Sequence, residues 1–146
     1  MRVLGGMLTV FGLTVAAAAC GGGDSPSRTD VGLTFSEWEI ALDSGTVRAG
    51  DVTFEFANEG ELAHNLVIVK SDLPPAELPL TDSAVDKSKL NVEGGAGPIA
   101  PGPPPTGAEG YTLALSAGKY VLFCDIVAAG ESHYRNGMYV SLLVEP

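Results

Sequence analysis

Four side chains outside the apolar leader carry almost all the soft or borderline metal-ligating capacity of this chain: His64, His133, Met138 and Cys124. Cys124, His133 and Met138 fall within a single run of fifteen residues, 124–138, in a sequence otherwise nearly free of these residue types. Two imidazoles, one thiolate and one thioether form a ligand set suited to holding one copper ion through single-electron changes. Each residue has a plainer reading when taken alone. His64 could be a hydrogen-bonded structural histidine, Met138 core filler, His133 a solvent-facing loop residue and Cys124 a small buried hydrophobe. A single metal site explains all four positions at once, which the separate readings do not.

Cysteine placement supports this. The first twenty residues read as an export signal: Arg2 as a minimal basic start, an apolar stretch over 3–15, and small residues 16–19 ahead of Cys20. The stretch is short for a membrane span and is interrupted by Gly5, Gly6 and Gly12. It resembles a bacterial lipoprotein signal, which implies lipidation of Cys20 after cleavage, although Ala17 stands where that pattern usually has leucine. Ala17 and Ala19 also satisfy ordinary signal-peptidase spacing. Residues 21–30 follow as a flexible tether. An exported chain meets an oxidising compartment in which stable cysteines usually pair. With Cys20 consumed by an anchor, Cys124 has no partner, and metal ligation gives it a reason to be there.

The elements that must position these ligands read as strands. The hydrophobic content of 45% supplies a core, while 19 glycines and 10 prolines among 146 residues favour many turns over long helices. Residues 31–35, 38–42 and 52–56 alternate with period two, and Val52, Phe54 and Phe56 share a face. Residues 66–69 form a continuous apolar run, suited to a strand buried on both faces. Residues 111–115, 119–124 and 139–144 complete the pattern. A short helical segment is expected within 74–90, opening at Pro74 and Pro75, and the Gly/Pro-rich stretch 94–110 is expected to be a long surface loop. The result is an all-β Greek-key sandwich of about seven strands, one domain spanning 31–146. Trp38, Phe54, Phe56 and Phe123 read as core. The formal charge of −10 argues against nucleic acid as a partner.

In this arrangement Cys124 closes one strand and Met138 opens the next, so their connecting loop delivers three ligands to one end of the sandwich, where His64 also arrives. On these residues the chain resembles a small cupredoxin of the bacterial exported type. The matching stretches are 36–38, 49–54, 58–60 with His64 and Asn65, 118–124, His133-Tyr134 and Gly137-Met138. The resemblance implies His64, His133 and Cys124 as equatorial ligands of one copper ion per chain and Met138 as the long axial ligand. It also implies that the Asn65 amide bonds the cysteine sulfur while its side chain ties two loops together.

One departure stands out: eight residues separate Cys124 from His133, more than in comparable relatives. The extra length could loosen the centre or admit Glu131 as a carboxylate ligand, giving a more open copper site. The functional expectation is an electron carrier, not an enzyme. It would be a monomer, lipid-anchored through Cys20 in the periplasm or at the cell surface, serving redox partner proteins. Copper storage or delivery, and a metal-free interaction module, are the competing readings. Arg135, within the ligand loop, reads as a solvated arginine near an exposed histidine edge.

Overall fold

The computed structural model describes residues 28–103 and 110–146. The leader, Cys20 and most of the tether therefore lie outside the described residues.

Two twisted sheets face each other. The first is built from β1 (Thr29–Ser36), β2 (Glu39–Leu42), β4 (Gly50–Asn58) and β7 (Tyr111–Leu115), in the spatial order β2-β1-β4-β7. The second comprises β3 (Thr46–Arg48), β5 (His64–Lys70), β6 (Asn91–Ile99), β8 (Gly118–Phe123) and β11 (Tyr139–Glu145), in the order β3-β11-β8-β5-β6. A small separate hairpin joins β9 (Val127–Ala128) to β10 (Glu131–Ser132). Two pairings, β1 with β4 and β3 with β11, are parallel, and the rest are antiparallel. The expected all-β sandwich is therefore present. Its eleven strands among the described residues exceed the expected seven by β3, β9 and β10, which are only two or three residues long and too short to show a period, and by β6, which lies largely in the stretch expected to be a loop.

Alternation places the core. Val31, Leu33 and Phe35 on β1, with Val52 and Phe54 on β4, face Leu66 and Ile68 on β5 across the sandwich, all essentially inaccessible to solvent. Thr53, on the opposite face of β4, is also buried, and its hydroxyl is satisfied by Thr112 Oγ1 at 2.8 Å.

The outer face of β5 and β8 is dry as well, as the unbroken apolar run in β5 requires. Val67, Val69, Val121 and Phe123 are covered there by Leu78 and Val85, from the segment between β5 and β6, and by Tyr134. That segment holds only two three-residue 3-10 turns, Pro75–Glu77 and Lys87–Lys89. The first starts where the prolines set it; nowhere in 81–90 is there an α-helix.

The expectation for 94–110 needs correction at its start, because β6 runs on to Ile99. Its Gly/Pro content is tolerated because β6 is an edge strand bonded only to β5, where a missing proline N–H costs no ladder bond. Gly95 has a positive reason to lack a side chain, since a Cβ there would run into the Leu66 carbonyl oxygen. Residues 104–109 fall outside the described residues.

Candidate metal centre

Four chain segments meet at one end of the sandwich. His64 is the first residue of β5, Cys124 immediately follows β8, and Met138 immediately precedes β11. Cys124 and Met138 are fixed to each other by the Cys124 N–H donating to the Met138 carbonyl at 3.1 Å. The tip of the β1–β2 hairpin, Glu37-Trp38, supplies the fourth segment.

The long stretch between Cys124 and His133 is folded rather than loose. It forms the β9–β10 hairpin, turned by Ala129 (φ 51°) and Gly130 (φ 85°), the doubly positive pair of a tight type I′ connection. Ala129 pays for that conformation, as non-glycine residues in the left-handed region cost roughly 1–2 kcal/mol. The hairpin then returns His133 to the site, its N–H bonded to the Ile126 carbonyl at 3.0 Å, and Met138 N–H closes on the His133 carbonyl at 3.1 Å.

Three donors converge. His64 Nδ1 lies 3.1 Å from His133 Nδ1, and Cys124 Sγ lies 3.4 Å from His133 Nδ1. All three ligand atoms fall within 4.8 Å of one another. Three such donors around a common first-row ion, at about 2.0 Å for nitrogen and 2.3 Å for sulfur, stand roughly 3.3–3.8 Å apart. The His64–His133 and Cys124–His133 distances reach this with outward shifts of a few tenths of an ångström. His64, Cys124, His133 and Met138 are each 0–1% exposed. His133 thus has no exposed edge. The His64 ring stacks on Phe35 (centroids 5.7 Å apart, planes at 15°), and Trp38 meets the His133 ring edge-on at 5.0 Å. Trp38, read from sequence as core, is partly buried and also walls the site.

Electrostatics oppose holding protons in a charged form here. Burial pushes the Cys124 thiol above its ordinary pKa, against the lowering effect of the Asn65 N–H, which donates to Sγ at 3.4 Å. Burial, and then the neighbouring His64, pull His133 below the usual histidine value. A neutral imidazole offers a lone pair, and a thiol that ionises reluctantly in a dry pocket does so readily when a cation replaces its proton.

Asn65 makes the contacts the resemblance implied. Beyond its N–H, its side chain donates to Asp125 Oδ1 at 2.6 Å and accepts from the Asp125 N–H at 3.0 Å, stapling the start of β5 to the ligand loop. Burial works to raise the Asp125 pKa, but bonds from Asn65 and the ammonium of Lys87 hold the carboxyl below its usual range. Glu131 is placed elsewhere: exposed, at the start of β10, 3.4 Å from the Asn136 amide and outside the group of converging donors. Arg135 turns away from the centre and donates to the carbonyls of Thr81 and Asp82 at 3.0 and 3.1 Å.

The carboxylate at the centre is Glu37, which the sequence did not single out. Its Oε1 lies 3.1 Å from His64 Nε2 and accepts from the Leu62 N–H at 3.0 Å, while both oxygens lie 3.1 Å from the Glu61 N–H. The Leu62 N–H leads in lowering its pKa, with help from Glu61 and His64 against burial. The signals in the sequence were its place within the matching stretch 36–38 and beside a tryptophan in a short turn between two strands; neither assigned it a role.

The family model of the sulfocyanin (SoxE) domain matches residues 46–146. Among solved structures, reduced auracyanin from the photosynthetic bacterium Roseiflexus castenholzii is similar at 24% identity. The match covers 84% of this chain and all of that one, with a TM-score of 0.57. Auracyanin A from Chloroflexus aurantiacus, described as a "blue" copper protein, is 24% identical over 82% of this chain and 100% of that chain, with a TM-score of 0.52. Rusticyanin from Thiobacillus ferrooxidans is 21% identical over 83% of this chain and 79% of that chain, with a TM-score of 0.53. At these identities the structural likeness establishes the fold. No curated protein matches the chain by sequence.

Proposed function

Since the chain belongs to the sulfocyanin (SoxE) domain family, of cupredoxin type, we propose that it is a type 1 copper protein carrying single electrons. The observation that carries this is the convergence of His64 Nδ1, His133 Nδ1 and Cys124 Sγ in a dry pocket at one end of a rigid sandwich. Bound copper would supply a one-electron couple between Cu(II) and Cu(I). The chain's own part is to hold the donors still. Strand ends fix Cys124 and His64, the β9–β10 hairpin fixes His133, and the rings of Phe35 and Trp38 block rotation of the imidazoles. Ligands that barely move between two oxidation states keep the reorganisation cost of electron transfer small.

Met138, buried and bonded through its main chain to both Cys124 and His133, is the proposed axial thioether. The Asn65 N–H on Sγ would tune the thiolate from behind. The protein would not be an enzyme: with both its histidines assigned to the proposed centre, none remains to build a second, catalytic copper site. A storage or delivery role fits less well with donors this inaccessible, and the position of Glu131 gives an open carboxylate-ligated centre no support. Export and lipid anchoring at Cys20, with redox proteins as partners on the outer side of the membrane, complete the proposal on the sequence pattern alone.

The test is the optical and paramagnetic-resonance spectrum of the copper-loaded domain. An intense visible thiolate-to-copper band with narrow copper hyperfine splitting is expected, and Cys124→Ser should abolish the band. A wild-type protein that stays colourless with copper would end this reading.

A further inference from the structure

We infer that Glu37 is a positioning residue of the copper centre: through the outward nitrogen of His64 it sets which imidazole nitrogen faces the metal and biases the centre toward Cu(II). The inference rests on the copper reading of the site and adds to it a residue outside the ligand set.

The geometry is one-directional. His64 turns Nδ1 toward His133 and the converging donors, leaving Nε2 facing outward, 3.1 Å from Glu37 Oε1. An ionised carboxylate only accepts hydrogen bonds, so Nε2 must donate, and the lone pair of the neutral ring is left on Nδ1. Such an acceptor behind a ligating histidine fixes its tautomer and raises its basicity toward the metal.

The carboxylate is itself held in place. It takes the N–H groups of Glu61 and Leu62, the residues that lead the chain into His64. The carboxylate also lies directly against the turn, where a Cβ at Gly60 would run into it. The β1–β2 hairpin tip thus reaches across to clamp the approach to the ligand and, through the same oxygen, touches the ligand ring. Glu37 side-chain exposure is 26%, against 0% for His64, so its charge acts across a ring that water does not reach. A negative charge one imidazole away from the metal favours the more positive oxidation state.

A bland alternative is that Glu37 only ties down residues 61–62. Glu37→Gln separates the two, because the amide keeps an oxygen acceptor and loses the charge. The inference expects a copper-loaded variant that retains the visible band, with its reduction potential raised by about 59 mV for each tenfold loss of Cu(II) preference, and at least one such step. Cu(II) affinity should fall about 10–100-fold, as for other groups hydrogen-bonded behind a ligand. Nitrogen-15 NMR of wild-type protein loaded with Cu(I), which is diamagnetic, gives a readout independent of any variant's folding. It should show a slowly exchanging proton on His64 Nε2.

An unmoved potential in a blue Glu37→Gln protein overturns the inference, as does a His64 Nε2 without a proton in the wild type. Both leave the copper reading standing. Wild-type protein that takes up no copper removes that reading, and this inference with it.

Discussion

At the scale of single residues, the centre depends on groups that do not themselves ligate. Asn65 illustrates the division of labour within one residue. Its main-chain N–H reaches Cys124 Sγ, while its side chain exchanges two hydrogen bonds with Asp125. Asn65→Ala keeps the first and removes both of the others, leaving the Asp125 N–H without its acceptor and the part-buried carboxylate with one donor fewer. A loss of about 1–3 kcal/mol in the denaturant unfolding of the metal-free protein is expected, the usual cost of leaving such a group unsatisfied. The visible band of the copper-loaded variant should persist. Disappearance of the band would show that the side chain, and not the main chain, governs the sulfur.

Among elements, the segment between β5 and β6 acts as a strap across the outside of the second sheet. It carries little regular structure of its own, yet Leu78 and Val85 seal the outer face of β5 and β8. It is fastened to the ligand loop at three points. Tyr134 Oη donates to the Pro75 carbonyl at 2.6 Å and accepts from the Leu78 N–H at 3.0 Å; Arg135 holds the Thr81 and Asp82 carbonyls; Lys87 pairs with Asp125. On the loop side Asp125 and Tyr134 adjoin the proposed ligands Cys124 and His133 in the chain, and Arg135 lies two residues beyond His133. Tyr134→Phe keeps the ring packed between Phe123 and Tyr139 but strands the Leu78 N–H in a dry setting. We expect about 1–3 kcal/mol of destabilisation and a marked rise in amide hydrogen exchange at Leu78. Unchanged exchange there would mean that the strap is held by its apolar contacts alone.

For the molecule as a whole, the donors are gathered at one end of the sandwich, and the net charge of −10 would become more negative on removal of the proposed leader, which contains Arg2. Such a surface suits association with a basic patch and should weaken with salt. The proposed anchor at Cys20 would hold the domain at a membrane surface on the tether of residues 21–30, confining its encounters to partners there. The intact mass of protein extracted with detergent tests this. A chain beginning at Cys20 and carrying a lipid adduct is expected; an unmodified chain beginning at Cys20, or an uncleaved one, would remove the anchor from the proposal.

Residue identity and spacing were enough to single out His64, Cys124 and His133, which the fold brings together, because soft ligands are rare in this chain and period-two runs report directly on strands with one buried face. The unbroken run 66–69 likewise announced a strand covered on both sides, since no polar face was left for water. Nothing local could announce what covers it, for residues 71–90 take their shape from what they pack against rather than from any period. The same holds at the metal centre. That the eight residues between Cys124 and His133 would close into a hairpin, that β6 would accept Pro98 as an edge strand, and that Glu37 would stand behind His64 while Glu131 pointed elsewhere depend on contacts between distant segments. A carboxylate's reach is decided by three-dimensional placement, and one-dimensional spacing carries no trace of it across 27 residues.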